Sequence, residues 1–515
     1  MSDWTDGYVA EIDYTFGYYS ELNPLRVAVP FLNTGLAPPA IATACELGFG
    51  QGLSVNVHAA ASNVRWYGTD FNPGHAAFAQ SLAAASGSGA RLFDQSFAEF
   101  CTRSDLPDFD YVGLHGVLSW VSPENQQIIV DFVRRKLKIG GVFYISYNCQ
   151  PGHAAMVPLR HLLTEHAEMM AAPGRGIVAR IDAALEFAEQ LLALNPSFAI
   201  ANPTITDRLK GIKGHDRHYL AHEYFNRDWR AILFADMAES LAPAKLTYAC
   251  SAHYLDHIEA LNLTADQHRL LTEVPDPMFR QSVRDFIVNQ QFRRDYWIKG
   301  RRRLSLLEQT EAIRRLRVMV ITSPRSTLAF TVQGALGQRD LLPSVYNPIL
   351  DALGEHEAKT IGEIEQALNK SGAGIVGLGA IFEAVMMLAA KGDLALVQDD
   401  EVQANARVCT DKLNRRIFDK ARSGGELTVL ASPVTGGGIS IPRFFQLFLL
   451  ARNQGRETPE EMARFGWDLL AAQGQWVLKE GKKLETPEEN LAELTRQAHE
   501  FIDQRLPVFR ALQIA

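Results

Sequence analysis

Residues 41–52 read IATACELGFGQG. The apolar run IATACEL has the length and composition of a buried strand. It passes directly into a Gly-x-Gly-x-Gly turn, and SVNVHAAAS after it has the pattern of a helix. Strand, glycine turn, helix is the opening of a Rossmann-like α/β unit. The alternation continues without interruption. VRWYGTD is a second strand ending at Asp70, and PGHAAFAQSLAAAS is its helix. ARLFDQSF supplies a third strand and turn, and FDYVGLHGVLSWV (109–121) a fourth. ENQQIIVDFVRRKL is an amphipathic helix and GGVFYISYN a fifth strand. The pattern predicts an α/β fold with a doubly wound, mainly parallel sheet.

After residue 149 the alternation stops. Residues 153–215 are helical by pattern, with RIDAALEFAEQLLAL the clearest stripe and AAPG and NP as breakers. Strand-helix order then returns through WRAILFADMAESLA, KLTYACSA and QFRRDYWIK, with a smaller helical insertion at 255–290. This gives a core of 1–152 and 216–305, interrupted by a helical insertion at 153–215. The insertion's long apolar faces predict a homodimer through it. In 306–408, RVMVIT and TLAFTVQG are expected to pair as a hairpin. TIGEIEQAL, GLGAIFEAVMMLAAKG and LALVQ follow the helix, helix, strand order of a winged-helix-like domain. Residues 409–515 read as a helical C-terminal domain. The half beyond 305 is expected to wall the acceptor cleft.

Composition narrows the function. The chain has 515 residues, 47% hydrophobic and 21% charged, with a net charge of -8. That profile gives no electrostatic footprint for nucleic acid and no disordered acidic character. No apolar run reaches the roughly 18 residues needed to span a bilayer, so membrane insertion is not expected. The opening MSDWTDGYVAEIDY has neither the basic nor the apolar region of a secretory signal. The five cysteines are scattered and form no C-x-x-C, which argues against structural zinc and fits a reducing cytoplasm.

The glycine turn carries the chemistry. Glu46-Leu47-Gly48-Phe49-Gly50-Gln51-Gly52 lacks both the G-x-G-x-x-G spacing of dinucleotide sites and the Lys-Ser/Thr of a P-loop. It matches E/D-x-G-x-G-x-G, in which the backbone approaches a cofactor without phosphate. Glu46 at the strand end can take an amino group, such as the α-amino group of S-adenosylmethionine (SAM). Asp70, with Phe71 beside it, ends the second strand, where an acid can accept both ribose hydroxyls. Ser96 and Phe97 after the third strand suit an adenine edge and face. With this acid on each of the first two strands, the sequence resembles class I SAM-dependent methyltransferases.

The resemblance extends along nearly the whole chain. Tyr14, Tyr18 and Glu21-Leu22-Asn23-Pro24 resemble a bacterial family that joins a methyltransferase core to a methyltransferase regulatory domain. So do SYNCQPG, HEYFNRDW (222–229), LNL (261–263), NQQFRRD (289–295) and LASPVTGGGIS (430–440). Its best-known members are protein lysine methyltransferases acting on bacterial outer-membrane proteins. The resemblance implies SAM as cofactor, S-adenosylhomocysteine as product, and lysine in a surface or outer-membrane protein as acceptor. Methylation of a sugar or small metabolite, and SAM binding without turnover, stay open as alternatives.

Base methylation is disfavoured. The position of [D/N]-P-P-[Y/F/W] reads Leu114-His115-Gly116-Val117-Leu118-Ser119-Trp120, and no cysteine nucleophile follows the fourth strand. The acceptor pocket is expected over the ends of the fourth and fifth strands. There Tyr147 and Asn148 are candidates to hold a nucleophile, and Trp120 to wall an alkyl-amine channel by cation–π contact. His115 is assigned to close over the cofactor, and Tyr14 and Tyr18 to an N-terminal lid. His218/His222 and His253/His257 repeat an i, i+4 spacing, but H-E-x-x-H needs its glutamate inside the pair, whereas Glu223 lies outside it. No metal is assigned, and His222, Glu223 and Tyr224 are candidates to reach the acceptor pocket. Arg284, Arg293, Arg294, Lys299 and Arg301–Arg303 form a basic patch at a domain junction, read as a solvated or salt-bridged face, with a surface for an anionic substrate as the alternative.

Overall fold

The computed structural model describes residue 5 and residues 7–170, 174–371 and 377–515. The breaker at 171–173 lies outside the described residues.

A seven-stranded sheet forms the centre. Its strands are β1 (Thr43–Leu47), β2 (Arg65–Thr69), β3 (Arg91–Phe93), β4 (Phe109–Leu114), β5 (Leu137–Asn148), β6 (Thr247–Ser251) and β7 (Phe292–Ile298). They lie in the order β3-β2-β1-β4-β5-β7-β6. β1 to β5 run parallel, and β7 runs antiparallel between β5 and β6. All five residues of β1 are buried, as expected of a strand covered by helices on both faces. The first crossover reverses after β3, which leaves a crevice at the carboxyl ends of β1 and β4, where such sheets bind ligands.

The glycines of the turn after β1 are required by its geometry. Gly48, Gly50 and Gly52 have φ of 67°, 56° and 70°, the left-handed region that only glycine adopts without strain. A Cβ on Gly52 would stand 2.4 Å from the Ala79 Cβ. Gly52 therefore lets the helix Leu53–Ala61 and the helix Pro73–Ser86 pack together, and it does not face the cofactor crevice.

Helices Met156–Met169, Ile177–Ala193, Ile205–Lys213 and Arg217–Tyr224 follow β5 and bury a core of their own around Leu159, Ile181, Leu185 and Leu220. Val9 and Ile12 of the N-terminal segment pack against that core. Among the described residues no helix is long and apolar enough to cross a membrane.

Beyond the sheet, the expected hairpin does not form. Arg317–Val320 is instead the middle strand between Lys359–Thr360 and Leu394–Leu396. Thr331–Gly334 pairs with Gly337–Asp340. The reason is local. Ser323-Pro324 and the turn Arg325–Thr327 separate the two apolar runs. Ala335-Leu336, followed by Gly337 at φ 98°, makes a tight two-residue connection. Val318 and Val320 are buried and suit a central strand.

The C-terminal half sits behind the glycine turn. Leu53, Val57, Ala60 and Ala61 share one core with Leu413, Ile417, Leu430 and Phe448. The helix Asp400–Ala421 and the hairpin formed by Val429–Ser432 and Gly437–Ser440 make that contact.

Candidate active site

The carboxyl ends of β1, β2 and β4 open into a cavity of about 290 Å³. Glu46, Gly48, Gly50, Asp70, Phe71, Ser96, Phe97, His115, Trp120 and Tyr14 all line it.

The wall has two carboxylates with different surroundings. Asp70 Oδ2 accepts from the Gly50 amide at 2.8 Å, and Oδ1 accepts from the Asn72 amide at 3.0 Å and lies 3.3 Å from His75 Nδ1. Glu46 is buried, and its Oε2 has no hydrogen-bond partner among the described residues. Burial first, and then the nearby Asp70 charge, push the Glu46 carboxyl up to about 8. A buried acceptor without a donor calls for a cationic ligand group at this position.

On the opposite side, Gln95 lines the cavity and its Oε1 accepts from Arg103 at 3.2 Å. The Ser96 hydroxyl is engaged in a capping box with Glu99 at the start of the helix Phe97–Cys101. Its contribution to the wall is therefore mainly backbone.

The N-terminal segment roofs the cavity through Tyr8, Tyr14 and Tyr19. It is fastened from both sides. Gln51 Nε2 donates to the Tyr14 carbonyl at 3.2 Å, and the Tyr19 amide donates to Ser54 Oγ at 2.9 Å. From the helical insertion, His222 Nε2 donates to the Ile12 carbonyl at 3.0 Å and His218 Nδ1 to the Asp13 carbonyl at 2.9 Å. Those contacts give the first histidine pair its role. Burial holds His222 down to about 4, so its ring is neutral at pH 7 and stacks on Tyr8. His115 is likewise held to about 4, mainly by burial. Its ring stacks on Tyr19 with centroids 3.8 Å apart, and its Nδ1 lies 2.8 Å from the Tyr144 hydroxyl.

Besides Gly52, three predicted residues lie elsewhere. Tyr18 points away from the cavity. Its hydroxyl accepts from the Gly438 amide at 2.7 Å and bonds His58 Nε2 at 3.1 Å. The segment is extended at Tyr19, so neighbouring side chains face opposite sides. Tyr147 is fully buried and donates to Asp295 Oδ2 at 3.0 Å. It shares a core with Phe143 and Ile145, while Tyr144 of the opposite parity touches His115. Asn148 is held by its backbone to Ser119 and Ile232 and does not line the cavity. Tyr8, Tyr19 and Gln95 are the additions that sequence reading missed.

Near the roof, Glu223 lies in the last turn of the helix Arg217–Tyr224. The field of its carboxylate reaches Tyr8, Tyr14 and Tyr19. Burial pushes it up to about 8. The predicted basic patch is largely paired: Arg293 lies buried between Asp285 and Asp295, and Arg294 pairs with Glu21 at 2.9 Å.

Comparison with known proteins agrees with this geometry. Residues 45–145 match the family described as methyltransferase domain, and residues 216–299 the predicted methyltransferase regulatory domain. The chain is 38% identical over 517 residues to the uncharacterized protein sll1526 of a Synechocystis strain, covering 99% of this chain and 100% of that one. The chain belongs to that family, the class I SAM-dependent methyltransferases with a regulatory domain. A second relative of this methyltransferase, the uncharacterized protein RP789 of Rickettsia prowazekii, is 25% identical over 55% of this chain and 51% of its own length. The fold is shared with PKMT2 from Rickettsia typhi, solved in complex with AdoHcy, with a TM-score of 0.69 at 16% identity over 97% of this chain and 99% of that one.

The cavity fits the methyl donor. Glu46 would take the α-amino group and Asp70 the ribose hydroxyls. Gln95, Phe71 and Phe97 would enclose the adenine, and the bare backbone at Gly48 and Gly50 leaves room for the thioether end. When bound, SAM supplies a methyl group on a positively charged sulfur. The chain's own residues bind, orient and screen from water.

Proposed function

We propose that this methyltransferase acts on lysine side chains of a protein, a surface or outer-membrane protein being the reading favoured by the family resemblance. The observation that carries it is the acceptor side of the cavity. Trp120 and Tyr14 meet at 6.1 Å between ring centroids. Glu223, whose charge acts on Tyr14 from outside the cavity lining, has no hydrogen-bond or ion-pair partner among the described residues. Aromatic faces and a lone carboxylate suit an alkylammonium better than a sugar hydroxyl. An ammonium must lose a proton before it can attack. In its ionised form, which grows as pH rises toward 8, a carboxylate raised by burial lies closer to the amine in proton affinity than an ordinary one, so it takes that proton at smaller cost. The new N–C bond then forms as the C–S bond breaks, with the electron pair left on sulfur.

Five cysteines without a disulfide support action in a reducing cytoplasm, before any such substrate is exported. The test is transfer of tritiated methyl from SAM into cell extract, followed by gel separation and hydrolysis. Label recovered as methyl-lysine from a protein band is expected. Label confined to small molecules would instead establish a metabolite enzyme, and SAM binding with no label a regulator without turnover.

A further inference from the structure

A second cavity, of about 470 Å³, lies where the N-terminal segment, the resumed sheet and the C-terminal half meet. The whole chain is acidic, yet Arg26, Arg294, Lys391 and Arg505 line this cleft against Glu21 as the carboxylate on its wall. Two of these cations are matched: Arg294 with Glu21 at 2.9 Å and Lys391 with Asp393 at 3.0 Å. Arg26 and Arg505 form no ion pair among the described residues. Arg505 donates to the Ser323 carbonyl at 3.1 Å. The Arg26 guanidinium makes no hydrogen bond among the described residues. It lies 4.4 Å over the Tyr254 ring, and its Nε is buried without a partner. Thr435 Oγ1, on the same wall, is also buried without one.

Buried donors without acceptors are costly. An oxyanion would satisfy them together, because a guanidinium and a hydroxyl present parallel donors to phosphate or carboxylate oxygens. The cleft also adjoins the active site through the chain itself. Tyr18 lines the cleft, whereas Tyr19 lines the methyl-donor cavity. Glu21, two residues on, joins Arg294 of the cleft and lies within the electrostatic reach of His115.

We propose that this cleft is a second ligand site, taking a small molecule with a phosphate or carboxylate group between Arg26, Arg505 and Thr435, and that its occupation holds the Tyr14–Tyr19 roof over the methyl-donor cavity. A ligand that orders the roof strengthens donor binding, and by linkage the donor strengthens the ligand equally.

Calorimetry on the full chain tests this with two probes, inorganic phosphate and citrate, which separate the two oxyanion chemistries. One of them should bind saturably at one site per chain. Arg26→Gln and Arg505→Gln should each weaken that binding at least tenfold. Saturating probe should raise AdoHcy affinity at least threefold. Arg505→Gln, at a half-buried position, remains informative if Arg26→Gln does not fold. Absence of saturable binding by both probes, or binding unchanged in a folded Arg505→Gln, overturns the site. Saturable binding with unchanged AdoHcy affinity overturns the coupling.

Discussion

Replacing Glu46 with Gln tests the cofactor assignment most directly. In the free protein this carboxyl titrates at about 8, because it is buried and Asp70 is near. A bound α-ammonium removes the penalty on the charged form, so the bound protein holds Glu46 ionised. Binding must then expel a proton whenever the pH lies below 8, and affinity must rise with pH in that range. The free protein has about one ionised Glu46 in three hundred at pH 5.5 and one in eleven at pH 7.0. Affinity should therefore rise about 30-fold between these values, worth about 2 kcal/mol. His115 and His222, both held to about 4, do not titrate there; Glu223, also near 8, does, but it does not line the cavity. The sign for stability is opposite. An unfolded chain ionises this carboxyl at the ordinary 4.5 while the free native state keeps it protonated to about 8, so Glu46 contributes stability at acid pH that is lost as pH rises through that interval. The assay is titration with AdoHcy in two buffers of different ionisation heat, which counts the protons released. Glu46→Gln should bind with a flat pH dependence and match the native protein near pH 5.5. A flat native profile, or a slope that survives in Glu46→Gln, would refute the placement of the amino group.

Three further outcomes are expected. Glu223→Gln should leave AdoHcy affinity within twofold but slow methyl transfer to a lysine-bearing protein at least tenfold, with the basic limb of the rate profile altered; an unchanged rate at saturating acceptor would remove Glu223 from the acceptor site. Leu413→Ala, in the core shared with Leu53 and Val57, should cost about 2–5 kcal/mol and lower one common melting transition, whereas two separate transitions would show that the halves fold independently. We also propose a homodimer through the helical insertion, where Leu194 and Ile200 are 79% and 70% exposed. Light scattering at micromolar concentration should give twice the chain mass, falling to one chain in Leu194→Glu/Ile200→Glu; a monomeric native protein would sink it.

The sheet and the donor site were legible because each rests on a local rule. TACEL is buried throughout since a parallel strand is covered on both faces, and the glycines of the turn are demanded by their positive φ. Acids at two adjacent strand ends mark one crevice. The errors share another origin, which is side-chain parity. Tyr18 and Tyr19 are one residue apart and serve different cavities. Tyr144 and Tyr147 lie on one strand, yet only Tyr144 meets His115. Composition does not say which tyrosine faces which side; the register of the pairing does. The role of His218 and His222 was hidden for a different reason. Their partners are carbonyls some two hundred residues away, and backbone atoms leave no trace in the sequence. The failed hairpin has a local cause that proximity hides: the turn Arg325–Thr327 separates the two apolar runs, and the second pairs with its own neighbour across Ala335-Leu336.

The position of the C-terminal half changes how the site is understood. The C-terminal half contributes no residue to the methyl-donor cavity among the described residues. It packs instead on the helix that the glycine turn feeds. Gln398 Nε2 donates to the Ala61 carbonyl at 2.8 Å, and Asn23 Nδ2 donates to the Thr435 carbonyl at 3.1 Å. The first contact fixes the far end of the helix whose start carries Gly52. The second fixes the segment just after Tyr19, and the Gly438 bond to Tyr18 fixes the residue just before it. The roof is thus held by the helical insertion at Ile12 and Asp13 and by the C-terminal half at Tyr18 and Asn23. Between those anchors lie Tyr14 and Tyr19, which close on the cavity. Residues that never touch the cofactor can thereby set how firmly the roof closes, and the cleft lined by Arg26 and Arg505 lies at the C-terminal anchor.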